Sequence, residues 1–88
     1  MNRQLIKLMT TDGCHLCEQA LGMLQYLFDT RTKYQNLFEL ELVEISDSDS
    51  LMEQFGVRIP VLLIGTSELA WPFEMSALES WLNQQLAN

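Results

Sequence analysis

The chain has 88 residues, 48% of them hydrophobic, and its 12 acidic and 5 basic residues give a formal net charge of -7. This length allows one hydrophobic core, and the composition is that of a folded globule rather than of a disordered segment. The acidic balance argues against nucleic acids and anionic membranes as partners, since both require a basic surface. We therefore expect one domain over residues 1–88.

The first half of the sequence predicts a strand, a long helix and a second strand. Residues 5 to 9 are apolar on both faces, which is typical of a short central strand. Residues 15 to about 30 carry apolar side chains at helical spacing, and Gly22 among them suggests close packing against the sheet. After a polar connection at residues 30 to 36, the alternation at residues 38 to 45 predicts an edge strand.

The second half predicts a short helix, two strands and a final helix. Ser50 to Glu53 fits a capping box at the start of the short helix. Residues 60 to 64 are predicted to form the third strand. Residues 69 to 73 alternate as a fourth strand, in which a proline implies an edge position. Ser76 to Glu79 fits a second capping box, at the start of the last helix.

The order of these elements, βαβαββα, predicts an α/β fold with a four-stranded mixed sheet flanked by three helices. The first strand–helix–strand unit should be parallel with a right-handed crossover, and the last two strands are close enough for an antiparallel hairpin. Trp71 and Phe73 are expected to pack in the core rather than to contact a substrate.

The two cysteines, Cys14 and Cys17, lie where the first strand gives way to the first helix. The thiolate is the attacking species in thiol chemistry, and the unpaired N–H groups and dipole at a helix start stabilise an anion. Cys17, one turn later, can donate its S–H to the Cys14 sulfur. Both effects lower the pKa of Cys14. We expect Cys14 to be the nucleophile and Cys17 the resolving thiol that expels the substrate from a mixed disulfide.

Two neighbouring residues are candidates for tuning this pKa. A protonated His15 in the first helical turn would favour the Cys14 thiolate, whereas the carboxylate of Asp12 would raise the thiol pKa if it turned inward. Two alternatives stay open, namely an exposed His15 without a role and an Asp12 that faces solvent as a cap. The sequence does not determine whether the combined effect of His15 and Asp12 raises or lowers the pKa of Cys14.

Other uses of the two thiols fit less well. A zinc site needs at least three protein ligands, and the adjacent Cys14 and His15 make an awkward chelate, so no metal is expected. A c-type haem requires a histidine directly after the second cysteine, where Glu18 stands. Two inert packing thiols are the main alternative, and Cys17 by itself fits that description.

The cellular setting is expected to be the cytoplasm. No apolar stretch approaches the ~20 residues of a membrane span, and the first residues lack the cleavage site of a signal peptide. In a reducing compartment, a lone C-x-x-C is more typical of catalysis or metal binding than of a structural crosslink.

The chain resembles the thioredoxin superfamily, and within it the small glutaredoxin-like proteins of poorly defined function. The resemblance covers about residues 5 to 86 and rests on the order of the elements and on three stretches: Cys14 to Cys17, Val57 to Pro60, and Glu68 to Glu74. It implies a cis bond between Ile59 and Pro60, opposite the redox pair. It further implies that the Ile59 backbone pairs with a substrate segment as an added strand would.

Arg58 is the one basic residue expected close to this site, where it either binds a substrate carboxylate or pairs with an acid such as Asp12. The chain departs from well-characterised glutaredoxins, because it has no Pro-Tyr between the cysteines and no Lys before Cys14. Residues 65 to 69 also lack the Gly-Gly-acidic pattern that helps to hold glutathione. Glutathione, with two carboxylates, therefore suits this acidic chain poorly as a ligand.

The resemblance and the residues together predict a thiol–disulfide oxidoreductase that acts on protein or small-molecule disulfides. The dithiol step needs no metal or organic cofactor, and glutathione or a reductase would recycle the pair. We expect a monomer without nucleic-acid or membrane partners. The alternative is a catalytically weak binding or redox-sensing module that grips a partner segment beside Pro60.

Overall fold

The computed structural model describes residues 3 to 87 of the chain. The strands are β1 (Gln4–Thr10), β2 (Phe38–Glu44), β3 (Val61–Ile64) and β4 (Ser67–Ala70). The α-helices of this part of the chain are α1 (His15–Thr30), α2 (Thr32–Leu37), α3 (Asp49–Phe55) and α4 (Met75–Leu86), and a single 3₁₀ turn covers Ile45–Asp47.

The four strands form one mixed sheet in the order β2-β1-β3-β4. β1 pairs in parallel with β2, from Gln4 opposite Phe38 to Thr10 opposite Glu44. β3 is antiparallel both to β1 and to β4, with which it forms a hairpin. The predicted α/β fold, the central first strand, the parallel first unit and the edge position of β2 are all confirmed.

The two faces of the sheet carry different hydrophobic clusters, because successive side chains of a strand point to opposite faces. The larger cluster joins Ile6 and Leu8 of β1 to buried residues of α1, α2 and α4. The smaller cluster joins Met9 to Ile45, Phe55 of α3 and others on the opposite face. Each such buried side chain contributes about 1.5–3 kcal/mol relative to its exposed state.

The connection predicted at residues 30 to 36 is instead largely helical, as α2. Tyr34 is fully buried there, with its ring centroid 6.1 Å from that of Phe38. Its hydroxyl donates a hydrogen bond of 3.0 Å to Asn83 Oδ1 on α4. The polar composition of this stretch gave no apolar pattern typical of a helix. Its one buried side chain, Tyr34, bonds a residue 49 positions away, which local sequence does not reveal. The three predicted helices are therefore accompanied by a fourth.

Both predicted capping boxes are wrong. α3 is capped by Ser48, whose hydroxyl accepts a hydrogen bond of 3.3 Å from the Leu51 N–H, and not by Ser50. α4 begins at Met75, one residue before Ser76, and its N-cap residue makes no side-chain hydrogen bond. Several serines and acids stand near each helix start, so the sequence pattern fits more than one register.

The packing predictions have a mixed outcome. Phe73 is buried and Trp71 is partly buried against the main core, with an edge-to-face contact of 5.1 Å between their rings, so their core role is confirmed. Both lie beyond β4, which covers Ser67–Ala70 and not the predicted residues 69 to 73. Gly22 is exposed, and a Cβ placed there would meet nothing within 4 Å, so the predicted close packing is wrong. Within residues 3 to 87, no helix has the length and hydrophobicity needed to cross a membrane.

Candidate active site

The cysteine pair is positioned by a tight loop between β1 and α1. Gly13 has a φ of +78°, a conformation that glycine adopts at no steric cost. The turn lets the Cys14 N–H donate to the Thr11 carbonyl at 3.3 Å. Cys14 has extended backbone angles and is the N-cap residue of α1. The strand, the turn and the helix start together place its sulfur at the N-terminal end of a 16-residue helix.

Cys14 and Cys17 form a disulfide, with their Cα atoms 5.2 Å apart. The Cys17 backbone N–H donates to the Cys14 Sγ at 3.1 Å, so one of the otherwise unpaired amides of the first turn contacts that sulfur. Cys17 is only 3% exposed, whereas Cys14 is half-buried. The structure therefore brings together the two thiols that the sequence singled out, and two separate packing thiols do not describe them.

A cleft of about 300 Å³ opens beside the disulfide, between the end of β2 and the start of α1. We call it the β1–β2 cleft, because its walls come from β1, β2 and the first turns of α1. Its lining consists of Leu8, Thr10, Thr11, Asp12, Gly13, Cys14, Cys17, Glu18, Leu21, Leu42 and Glu44. The cleft thus joins both cysteines to an apolar floor and to three carboxylates.

Glu44, at the end of β2, ties this strand to the cysteine loop. The Thr11 hydroxyl donates to its carboxylate, and so do the backbone N–H groups of Ser46, at 3.1 Å, and of Asp12. These hydrogen bonds, with that from Thr11 contributing most, hold the pKa of Glu44 below its ordinary value. No local sequence pattern pointed to Glu44. The parallel register that places Glu44 opposite Thr10 is the signal that could have found it.

His15 and Asp12 occupy exposed positions beside the pair. The His15 side chain is 91% exposed, and its Nδ1 lies 3.6 Å from Glu18 Oε2. Asp12 is exposed and lines the cleft. His15 therefore contacts a carboxylate of its own helix and is otherwise exposed to solvent. The tuning roles of both residues stay predictions.

Arg58 already has a partner in the chain. It pairs with Glu68 of β4, and its guanidinium carbon lies 5.5 Å from the ring centroid of Phe55. Of the two possibilities raised by the sequence, the structure contains the ion pair, but the acid is Glu68 instead of Asp12.

The Ile59–Pro60 peptide bond is cis, as is the Trp71–Pro72 bond. Pro60 is fully buried, and its carbonyl accepts a hydrogen bond of 3.1 Å from the Trp71 N–H. The Ile59 N–H donates to the Phe55 carbonyl at 3.2 Å. Because Val61 pairs with Met9, Pro60 lies at the same end of the sheet as the cysteine loop, but on the β3 side.

Residues 5–83 of the chain match the family model described as "Glutaredoxin-like domain (DUF836)". The X-ray structure of Northeast Structural Genomics target protein XcR50 from X. campestris is similar, with a TM-score of 0.74 and 32% identity over 90% of this chain and 96% of that chain. The solution structure of the same target gives a TM-score of 0.73 and 32% identity over 90% and 92% of the two chains.

A further structure, described as that of a malarial protein, shares the fold with a TM-score of 0.64. Its identity is 17%, over 94% of this chain and 97% of that chain. No curated protein sequence matches the chain significantly. The family match spans the cysteine loop, β1 to β4 and most of α4. The chain therefore belongs to the glutaredoxin-like domain family (DUF836), as a redox-capable module with a thioredoxin-like fold.

Proposed function

We propose that the protein is a thiol–disulfide oxidoreductase in which Cys14 is the nucleophile and Cys17 the resolving thiol. The observation that carries the proposal is the unequal environment of two bonded sulfurs. Cys14 is half-buried and accepts an amide hydrogen bond at the helix start, whereas Cys17 is buried one turn later. An incoming disulfide has access to the first sulfur, and the second is held within bonding reach of it.

The reaction follows from this arrangement. In the reduced protein, the Cys14 thiolate attacks one sulfur of the substrate disulfide, a mixed disulfide forms, and the other substrate sulfur leaves as a thiolate. Cys17 then loses its proton and attacks the Cys14 sulfur, which releases the remaining substrate thiol and closes the Cys14–Cys17 disulfide. Two electrons pass from the protein to the substrate, and the oxidised form is the one that the structure contains.

Two opposing electrostatic effects act on the Cys14 thiolate. The Cys17 N–H donates directly to the sulfur, and the dipole of α1 adds to this stabilisation. The carboxylates of Asp12, Glu18 and Glu44 oppose it, but Asp12 and Glu18 are exposed and screened by water. We expect the direct contact to prevail, so that Cys14 ionises more readily than a free thiol, whose pKa is about 8.5.

Ile59, Pro60 and Arg58 are proposed to border the substrate on the β3 side. No metal or organic cofactor takes part in the dithiol step. A thiol reductant or a reductase must return the disulfide to the dithiol, which suits a reducing compartment such as the cytoplasm. The protein is proposed to act as a monomer on a disulfide-containing protein or a small disulfide, without membrane or nucleic-acid partners.

The roles of the two cysteines are tested by single serine substitutions. Cys17→Ser should accumulate a mixed disulfide with a model substrate protein, because attack proceeds but resolution fails. Cys14→Ser, the matched control, should trap none. Mass spectrometry of the intact adducts after quenching with acid measures both. Equal trapping by the two variants would contradict the assignment.

The reactivity difference gives a second measurement. In the reduced protein, iodoacetamide should alkylate Cys14 faster than Cys17 at neutral pH, because Cys14 is the more exposed and the better stabilised thiolate. Alkylation rates of the two serine variants, followed against pH, give the pKa of each remaining thiol. A pKa of Cys14 at or above that of a free thiol would count against the proposal.

A second candidate function is supported by exposed apolar side chains around the disulfide. Leu16, between the two cysteines, and Leu42, on the cleft, are both among the exposed large hydrophobic residues. They suit a module that binds a protein segment in one redox state without efficient turnover. Steady-state reduction of insulin disulfides, beside reduction of a glutathione mixed disulfide, separates the two. Activity on neither, with partner binding that depends on the disulfide, would favour the binding module.

A further inference from the structure

The β1–β2 cleft is acidic next to the reactive pair. Asp12, Glu18 and Glu44 contribute carboxylates to its lining, and no lysine or arginine of residues 3 to 87 contributes to it. These carboxylates do not make the reactive site, which is the disulfide. They determine the electrostatic potential that a substrate meets as it reaches Cys14 from this side.

The basic residues of the chain are placed elsewhere. Three of them form ion pairs with other carboxylates, and a fourth lies over an aromatic ring. These contacts are Arg3 with Glu39 at 3.7 Å, Arg31 with Glu79 at 3.5 Å, Arg58 with Glu68, and Lys33 at 5.2 Å from the Tyr34 ring centroid. The fifth, Lys7, sits on β1 opposite Glu41. The cleft carboxylates thus lack a lysine or arginine partner within the described chain.

One of the three carboxylates of the cleft, that of Glu44, is held in place by hydrogen bonds. Glu44 is fixed by hydrogen bonds from Thr11, Ser46 and the Asp12 backbone, which favour its ionised form. Among residues 3 to 87, the basic side chain that contacts one of these carboxylates is His15, whose Nδ1 lies 3.6 Å from Glu18. The cleft therefore presents carboxylates to a substrate that approaches Cys14 from this side.

We propose, on the basis of the proposed function, that Cys14 acts on a cysteine flanked by lysine or arginine in an extended protein segment. The basic side chains of that segment lie against Asp12, Glu18 and Glu44 in the β1–β2 cleft. Exposed Leu16 and Leu42 contact the aliphatic parts of the same side chains. A disulfide flanked by carboxylates, as in glutathione, meets charges of its own sign and reacts more slowly.

The test uses three peptides that differ only in the residues beside one cysteine, which are lysine, serine or glutamate. Each cysteine is activated as a 2-pyridyl disulfide. The Cys14 thiolate of the pre-reduced protein attacks the peptide sulfur and releases 2-pyridinethione, which is followed by its absorbance. Cys17 then attacks Cys14 and releases the peptide thiol. The two protein thiols supply both electrons, so a single turnover needs no other reductant.

At low salt, the second-order rate constant should fall from the lysine to the serine to the glutamate peptide, with about a tenfold difference between the extremes. The difference should largely disappear near 1 M salt, where the Debye length is only ~3 Å. Equal rates for all three peptides, or a faster glutamate peptide, would overturn the inference while leaving the proposed function intact. Failure to react with any of these activated disulfides would instead remove the proposed function.

Substitutions locate the effect in the cleft. In Asp12→Asn/Glu18→Gln, the ratio of the lysine rate to the glutamate rate should fall severalfold. The ratio cancels any change in the intrinsic reactivity of Cys14. Asp29→Asn/Glu39→Gln removes the same net charge from the far ends of α1 and β2, and its ratio should match that of the unmodified protein. An equal fall in both variants would assign the preference to net charge and contradict the cleft.

Discussion

The two sides of the disulfide differ in how many of their polar groups already form hydrogen bonds or ion pairs within the chain. On the β3 side, the Ile59 N–H, the Pro60 carbonyl and the Arg58 guanidinium all have partners within the chain. On the β2 side, the β1–β2 cleft is open beside both cysteines and is lined by Asp12 and Glu18, which are exposed.

This difference bears on how a substrate can be held. A group that already has a hydrogen bond or an ion pair must exchange it for a new one, so its net contribution to binding is small. Asp12 and Glu18 have no lysine or arginine partner among residues 3 to 87 to give up when a basic substrate arrives, and the His15 contact of Glu18 is exposed to water. The β3 side is therefore suited to form a fixed wall of the substrate site. The β2 side is suited to recognise the charged part of the substrate.

The largest expected effect comes from the floor of the cleft. Leu8 is 1% exposed, lines the β1–β2 cleft and belongs to the main core. Leu8→Ala should lower the free energy of unfolding by about 2–5 kcal/mol, because it leaves a cavity among packed side chains. Leu42 is the matched control: it lines the same cleft but is 53% exposed, so Leu42→Ala should stay within about 0.5 kcal/mol.

Urea denaturation followed by circular dichroism measures both variants. Similar losses from Leu8→Ala and Leu42→Ala would show that the open cleft is not supported by the main core. The buried Leu8 and the exposed Leu42 would then contribute equally to stability, against their different burial.

On the β3 side, the corresponding support is α3, which leads into residues 56 to 60. The Ser48 hydroxyl accepts the Leu51 N–H at the start of this helix. Ser48→Ala should therefore cost about 1 kcal/mol of stability. Ser50→Ala lies in the first turns of the same helix without this bond and should cost less. Chemical denaturation of the two single variants compares them directly, and a larger loss at Ser50 would contradict the observed cap.

These outcomes also show why the fold was more predictable than its details. Apolar patterns identified β1, α1 and β3, because burial of those side chains is what holds the elements together. The helix α2 escaped notice because a long-range contact of Tyr34 stabilises it. The observed N-caps, Ser48 for α3 and Glu74 for α4, differ from those predicted because capping chemistry tolerates several neighbouring polar residues.

The candidate site was predictable to a similar degree. The C-x-x-C spacing and its place before a helix sufficed to predict that Cys14 and Cys17 meet. The partner of Arg58 was not predictable from the sequence. Arg58 lies in the loop before β3, and its contact with Glu68 depends on how β4 folds back beside that loop. Glu44 was missed for the same reason, because its contact with Thr11 requires the register between β1 and β2.

That register gives a pH-dependent test of the β2 side. Hydrogen bonds lower the pKa of Glu44 from its ordinary value of 4.5, so its contribution to stability is present above that pH. The contribution is lost as the pH falls through the lower, folded-state pKa. Glu44→Gln should therefore be less stable than the unmodified protein at neutral pH, and the difference should shrink progressively below pH 4.5.

Urea midpoints at neutral pH and at several acidic values follow this difference. Glu41→Gln, on the same strand, removes one carboxylate without touching the cysteine loop and serves as the control. If Glu44→Gln kept a constant deficit down to about pH 3, the loop contacts of the ionised carboxylate would not be its cause.

The smallest expected effect concerns the β3 side, where Arg58 is held by Glu68. Both side chains are about 40% exposed, so water screens the pair and its removal should change stability by less than about 1 kcal/mol. The pair matters more for recognition, because Glu68→Gln frees the guanidinium for an anionic substrate. Reduction of a glutathione mixed disulfide should then accelerate by a few-fold, the equivalent of less than about 1 kcal/mol. Arg58→Ala/Glu68→Gln is the control, since it has no guanidinium to free. Acceleration in that double variant as well would mean that repulsion by Glu68, rather than capture of Arg58, had slowed the anionic substrate.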